Sequence, residues 1–205
     1  NSSVENQIKR SDDEKGVSIV FKITENEKRK IRKIEFEGNK KLSSTELLKG
    51  METAPWRFWR FWSKRSRYRP SILEEDLNKL RATYRNKGFL DVKIEQSGVR
   101  IKPEGKGNLD LIVKVVEGER SFFGETSFSG NIILKQTDLL EDSKIKTGEP
   151  YSPSILNEEL SRLRRMYGEK GYLDVGIRST RTPNLQTNQI DLKFEISENN
   201  KFSVN

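Results

Sequence analysis

Residues 68–94 read YRPSILEEDLNKLRATYRNKGFLDVKI, and residues 151–177 read YSPSILNEELSRLRRMYGEKGYLDVGI. Sixteen of these 27 aligned positions are identical, so the chain carries a duplicated module. In each copy the apolar residues share one helical face: Leu73, Leu77, Leu80 and Tyr84 in the first, Leu156, Leu160, Leu163 and Tyr167 in the second. Ser71 with Glu74, just after Pro70, predicts a capping box at the helix start. Gly88 and Gly171, each preceded by a lysine, predict the stop. Glycine takes the left-handed conformation cheaply, and the lysine suits the negative end of the helix.

Other landmarks recur around this pair. Gly38-Asn39 returns 92 residues later as Gly130-Asn131, whereas Gly88 returns after 83 as Gly171. The first copy therefore holds nine additional residues between these points. A third landmark occurs three times, as VSIVFKITE (17–25), LDLIVKVVE (109–117) and IDLKFEISE (190–198). The chain thus opens on the tail of one unit and continues through two complete ones. The expected domains are a hairpin of a preceding unit at 1–27, complete units at 28–119 and 120–200, and the start of a further unit at 201–205.

Each complete unit reads β-α-α-β-β. The opening strands are 31–37 and 123–129; in the first, Ile34 and Phe36 alternate with Lys33, Glu35 and Glu37. Ser43 with Glu46 fits a capping box ahead of Leu47-Leu48, and Asp138-Leu139-Leu140 takes the same place in the second copy. Hairpins of 92–101 with 109–116, and 175–181 with 190–196, close the units. Leu109, Leu111, Val113 and Val115 share one face of the last strand, as do Ile190, Leu192, Phe194 and Ile196. One sheet face is apolar and the other wet, so helices cover one side only. The fold class is α+β: a three-stranded mixed sheet under two antiparallel helices, twice over.

Composition narrows the chemistry. Hydrophobic residues make up 32% and charged residues 34% of the 205, a balance suited to small two-layer units with much surface. Cysteine and histidine are absent, which removes thiolate nucleophiles, imidazole bases and the commonest zinc sites. Gly105-Lys106-Gly107 lacks the Walker pattern. No cofactor, metal or catalytic residue is expected, and the chain does not read as an enzyme. No apolar run approaches the roughly 20 residues that span a bilayer. No secretory leader is visible at Asn1, compatible with a mature segment or a piece of something longer.

The passages IRKIEFEGNKKLSSTEL (31–47), LRATYRNKGFLDVKI (80–94), LRRMYGEKGYLDVGI (163–177), VVEGER (115–120) and ISENNK (196–201) resemble the POTRA, polypeptide-transport-associated, module. The resemblance covers essentially the whole chain. It is greatest to the assembly factors that insert β-barrel proteins into bacterial outer membranes. There, Ala54-Pro55-Trp56 at the start of the insertion implies the third and fourth units of a five-unit array, with the tail of the second. The resemblance implies a location on the periplasmic side of the outer membrane. Its implied partners are unfolded barrel precursors, accessory lipoproteins and the chain's own C-terminal membrane barrel, with no nucleic acid. Related secretion transporters and autotransporter assembly factors are the alternative within the fold. A basic nucleic-acid-binding module is the alternative from another class; it requires a continuous basic face.

Two candidate sites follow. A three-stranded sheet leaves edges to which an extended peptide can add. The resemblance points to the second strand of the first unit, with Val92, Ile94, Gln96, Val99 and Ile101 along it, and implies that Val99 and Ile101 meet a partner lipoprotein. The plain alternative is a hairpin edge facing water. The second candidate is the insertion METAPWRFWRFWSKRSR (51–67), which holds Trp56, Trp59 and Trp62 with Arg57 and Arg60 between them. Its five cations against Glu52 give +4, half of the chain's net +8. Packing with a protein partner, contact with a membrane surface and stacking on single-stranded nucleic acid all fit such a mixture. The acidic runs Glu74-Glu75-Asp76 and Glu158-Glu159 are expected in first helical turns, where they complement the dipole.

Overall fold

The computed structural model describes residues 3–10, 17–24, 29–53, 55, 67–95, 99–103 and 108–201. A two-stranded antiparallel hairpin comes first, β1 (Ser3–Arg10) with β2 (Val17–Thr24). The first full unit follows as β3 (Lys30–Glu37), α1 (Ser44–Lys49), α2 (Pro70–Arg85), β4 (Val99–Pro103) and β5 (Asn108–Lys114). The second repeats the order as β6 (Phe122–Ser129), α3 (Gln136–Glu141), α4 (Pro153–Glu169), β7 (Gly176–Asn184) and β8 (Gln189–Ser197).

In both sheets the last strand lies in the middle, in the orders β3-β5-β4 and β6-β8-β7. The hairpin partner runs antiparallel to it. The opening strand runs parallel, because the two helices carry the chain back across the sheet. Central placement demands the strictest alternation, and these strands have it. Leu109, Leu111 and Val113 are buried in one core, Ile190, Leu192, Phe194 and Ile196 in the other. The helices supply Leu73, Leu77, Leu80 and Tyr84 to the first core, and Leu156, Leu163 and Tyr167 to the second. Leu160 is only half-buried against it. Burying one such leucine stabilises by about 1.5–3 kcal/mol. On the other sheet face, Lys33 pairs with Glu35 and Lys193 with Glu195 at the surface.

The helix ends are partly as expected. Ser43 Oγ accepts from the Glu46 amide at 3.2 Å. The Phe89 amide donates to the Tyr84 carbonyl and the Gly88 amide to Arg85, with Gly88 at φ +94°. Tyr172, Tyr167, Gly171 and Gly168 repeat this pattern. The capping box at Ser71 is not formed, because α2 starts two residues earlier than such a cap requires, at Pro70. Its N-cap is Arg69, which makes no side-chain cap. The matching residue in the second copy is Ser152, whose Oγ does accept from Ile155 at 3.4 Å.

With the helices starting there, the acidic runs lie beyond the first turn, and two of their members are buried for other work. Asp76 accepts from the Glu52 and Thr53 amides, both at 2.7 Å, and so fastens the near leg of the insertion. Glu159, its counterpart, accepts from Arg162, which also donates to the Leu139 carbonyl of α3.

The expected strand 92–101 is divided. Lys93 exchanges both backbone hydrogen bonds with Val116, at 2.8 and 3.0 Å. In β4 Val99 meets Val113, so the register differs by three residues between these two points. The β7–β8 ladder runs from Gly176 to Asn184 without a break.

Both opening strands also carry a register irregularity at one shared place. In β3 the neighbouring Arg32 clamps Asp110 from Nε, at 3.0 Å, and from its second nitrogen. That hydrogen bonding holds the Asp110 carboxyl below its ordinary range. In β6 the equivalent of Arg32 is Gly124, and Asp191 accepts instead from the Glu125 amide at 2.8 Å.

A second repeated device closes each unit. Glu117 accepts from the Lys41 amide at 2.9 Å, from the Leu42 amide at 3.4 Å and from the Tyr84 hydroxyl at 3.0 Å. Glu198 does the same for Ile132, Ile133 and Tyr167. One carboxylate thus joins the end of the last strand, the loop after the first strand and the second helix. Burial and then the adjacent carboxylate push both tyrosine hydroxyls well above pH 10.

The two units are bonded to each other. Asn86 Oδ1 accepts from the Ser154 amide at 3.1 Å and Ser152 Oγ at 3.2 Å, so the end of α2 receives the start of α4. The Gly88 carbonyl accepts from the Ser121 amide at 2.8 Å. Arg120 donates to the Lys87 carbonyl and lies over the Phe89 and Phe122 rings. Leu90 leaves its own core and packs on the second one.

Candidate functional site: the sheet edges

Each sheet has two margins, and the chain treats them differently. The outer margin of β3 is met by Arg67, which forms an antiparallel bridge with Lys30, while the Tyr68 amide donates to the Arg29 carbonyl at 3.0 Å. The outer margin of β6 is covered more fully. The Phe123 amide donates to Glu149, the Gly148 amide to Phe123, both at 2.8 Å, and the Tyr151 amide to Ser121 at 3.0 Å. In both units the segment entering the second helix therefore covers the start of the opening strand.

The opposite margins are β4 and β7. Among the described residues no further strand lies beside either. A strand in that position directs every second N–H and C=O away from its sheet, towards whatever approaches. β4 offers five residues and β7 nine. Both end near a proline, Pro103 or Pro183, which limits ladder growth at that end. Arg178 and Arg181 on β7, and Arg100 on β4, discourage indiscriminate edge-to-edge association.

The residues expected along the first unit's edge fall in three places. Val92 and Ile94 are in the core, so a partner at this margin meets main chain there and not their side chains. Val99 and Ile101 lie in β4, opposite Val113 and Leu111, and Ile101 remains 41% exposed at the margin. Gln96 lies outside the described residues, as do Trp56, Arg57, Trp59, Arg60 and Trp62 of the insertion. Only the legs of the insertion are described. Asp76 holds one, Arg67 joins the other to β3, and Arg69 pairs with Glu52 at 3.2 Å.

The sequence reading missed the residues that close and join the units: Glu117, Glu198, Asn86 and Leu90. Glu117 and Glu198 stood at identical positions of the thrice-repeated strand motif, a signal available without coordinates. Leu90 recurs as Leu173, but repetition does not show that its partner lies in the other unit, and Asn86, matched by Glu169, gave no signal at all. Among the described residues there is no cluster of three or more His, Cys, Asp or Glu fit for a metal ion, and no helix long and apolar enough to cross a membrane.

The sequence profile of the POTRA family, described as surface antigen variable number repeat, matches residues 29–118 and 122–199. The outer membrane protein assembly factor BamA of Neisseria meningitidis serogroup B is 26% identical over 190 residues, covering 92% of this chain and 24% of that protein. The chain thus spans about a quarter of the length of the curated relatives it matches. The crystal structure of Haemophilus influenzae BamA POTRA3-5 superposes with a TM-score of 0.57 at 19% identity, over 86% of this chain and 68% of that one. Haemophilus ducreyi BamA lacking POTRA domains 1-3 gives 0.58 at 17% identity, over 83% and 30%. These structural likenesses support the fold. The curated relatives that the chain matches are named as outer membrane protein assembly factors. The chain belongs to the POTRA family, as a tandem pair of POTRA domains homologous to those of the outer membrane assembly factor BamA.

Proposed function

We propose that the chain is part of the periplasmic arm of an outer-membrane β-barrel assembly factor, comprising the third and fourth POTRA units with the tail of the second. In this reading it handles unfolded barrel precursors, and accessory lipoproteins, by strand addition at the outer margins of β4 and β7, upstream of the protein's own membrane barrel. The observation that carries the proposal is the asymmetry of the sheets: the opening strand is covered where it starts, and the opposite strand has no strand on its outer side among the described residues. Strand addition bonds main chain to main chain, so it accepts many client sequences. Barrel precursors are rich in alternating extended segments, which suit it.

Proline scanning with a labelled peptide tests this, the peptide being a ten-residue alternating segment of a barrel protein. Neighbouring strand residues direct their N–H groups to opposite sides. Of Ser179→Pro and Thr180→Pro, one breaks the ladder to β8. The other keeps the circular dichroism and melting temperature of wild type and points the lesion outward. Val99→Pro and Arg100→Pro form the same pair in β4. The folded variants of both margins, combined, should bind the peptide at least about tenfold more weakly by fluorescence anisotropy. Wild-type affinity in that folded combination rules strand addition out.

A further inference from the structure

The two open margins differ in chemistry at one matched position. Leu111 and Leu192 hold the same place in the repeated strand motif, and each is buried in its core. Ile101 of β4 lies opposite the first, and Arg181 of β7 lies opposite the second. Directly opposed residues of an antiparallel pair share a sheet face. Ile101 and Arg181 therefore both belong to the helix-covered face, at its open rim, and both are exposed there. Pro103 and Pro183 mark the same register two residues further on, opposite Leu109 and Ile190.

The cations of these strands divide in the same way. On β4 they belong to the other face, where Arg100 pairs with Glu37 and Lys102 lies opposite Asp110. The row of Val99, Ile101 and Pro103 holds no charge. On β7 Arg178 likewise lies opposite an acid, Glu195. Arg181 does not. It shares its row with Ile177, Ser179 and Pro183, faces a buried leucine across the ladder, and makes no ion pair among the described residues.

An added strand sets one side chain directly against each rim residue. Against Ile101 an apolar side chain covers exposed hydrocarbon. A carboxylate there loses water and gains no cation in that row. Against Arg181 the preference is reversed: a carboxylate forms a cross-strand ion pair, and a second cation repels.

We propose that the two margins select different strands: β4 takes an extended segment with an apolar residue opposite Ile101, and β7 takes one with an acidic residue opposite Arg181. Ile101 and Arg181 are then the residues that determine specificity. The proposal rests on strand addition at these margins and names the chemistry that sorts the incoming strands. A barrel precursor offers both kinds, since its strands alternate an apolar lipid-facing row with a polar lumen-facing row. The two margins thereby read opposite rows of such a strand.

The test uses the intact protein and two ten-residue probes, each with a photo-cross-linking group at its N-terminus. One alternates threonine with valine. The other is the same peptide with its two central valines replaced by glutamate. Mass spectrometry of the cross-linked fragments assigns each probe to β4 or β7. The ratio of β7 to β4 labelling should be at least about tenfold higher for the glutamate probe than for the valine probe. Exchanging the two residues, as Ile101→Arg with Arg181→Ile, should reverse that order and keep the circular dichroism of wild type, since both positions are exposed. Arg181→Lys should retain the glutamate preference of β7. Equal ratios for the two probes, or an order that the exchange leaves unchanged, overturn the selectivity and leave strand addition standing. Cross-links at neither margin remove strand addition and the selectivity with it.

Discussion

Replacing Glu117 by alanine takes one acceptor from three donors. The Tyr84 residue is fully buried and its hydroxyl donates to Glu117, so stranding it costs about 1–3 kcal/mol. The Lys41 amide loses a charge-assisted bond, while the longer contact from Leu42, at 3.4 Å, adds little. Together these make Glu117→Ala destabilising by about 3–5 kcal/mol. Tyr84→Phe removes only one donor and leaves the carboxylate with its amides, so it costs about 1 kcal/mol. In the Tyr84→Phe background, Glu117→Ala should cost about 1–2 kcal/mol less than alone, because no hydroxyl is stranded. Urea unfolding followed by circular dichroism, with hydrogen exchange to separate the units, measures each corner of this cycle. A Glu117→Ala penalty no larger than that of Tyr84→Phe, or strictly additive costs, refutes the latch. The sign of the pH effect is also set. The hydroxyls of Tyr84 and Tyr167 ionise above their unfolded value of about 10. Their contribution is therefore complete below that pH and is lost as pH rises beyond it. Absorbance at 295 nm should show two tyrosines resisting ionisation until the fold gives way.

Leu77→Asp should unfold the first unit, since a carboxylate at a fully buried site has no partner, whereas Leu160→Asp should be milder because Leu160 is only half-buried; unit-resolved hydrogen exchange distinguishes them. The Arg32–Asp110 pair should give the first unit an acid-sensitive component. Asp110 ionises below its unfolded value, so this stability is present above about pH 4 and lost as pH falls through the folded value. Asp110→Asn should remove that part of the acid dependence, and an unchanged acid profile counts against the pair. Gly124→Ala should destabilise the second unit by about 1–3 kcal/mol, because an added Cβ would lie 2.0 Å from Asp191 Oδ1. Adding Asp191→Ala should recover part of that loss in thermal melts, and no recovery would place the strain elsewhere.

Periodicity and repetition were sufficient for most of the architecture. The leucine stripe of α2 could be read because one helical face must meet one core, and every member of it is buried. The alternation in 109–115 and 190–196 marked strands with one dry face, and these became the central strands. The polar positions misled where the chain uses them at long range. Ser71 had the composition of a cap but lies inside the helix, and Asp76 looked like a dipole residue but holds a loop 23 residues away. Local composition cannot distinguish an acid that faces water from one that fastens a distant backbone.

The duplicated order of strands and helices, the two cores and the absence of thiol and imidazole chemistry were properties of the sequence by itself, because hydrophobic spacing and side-chain inventory are local and additive. Which sheet margin is covered, where the hairpin of the first unit breaks register, and how Asn86, Gly88 and Leu90 bind the next unit were decided only by tertiary structure. Those features depend on backbone groups finding partners far along the chain, and a backbone N–H or C=O is the same in every residue that carries it.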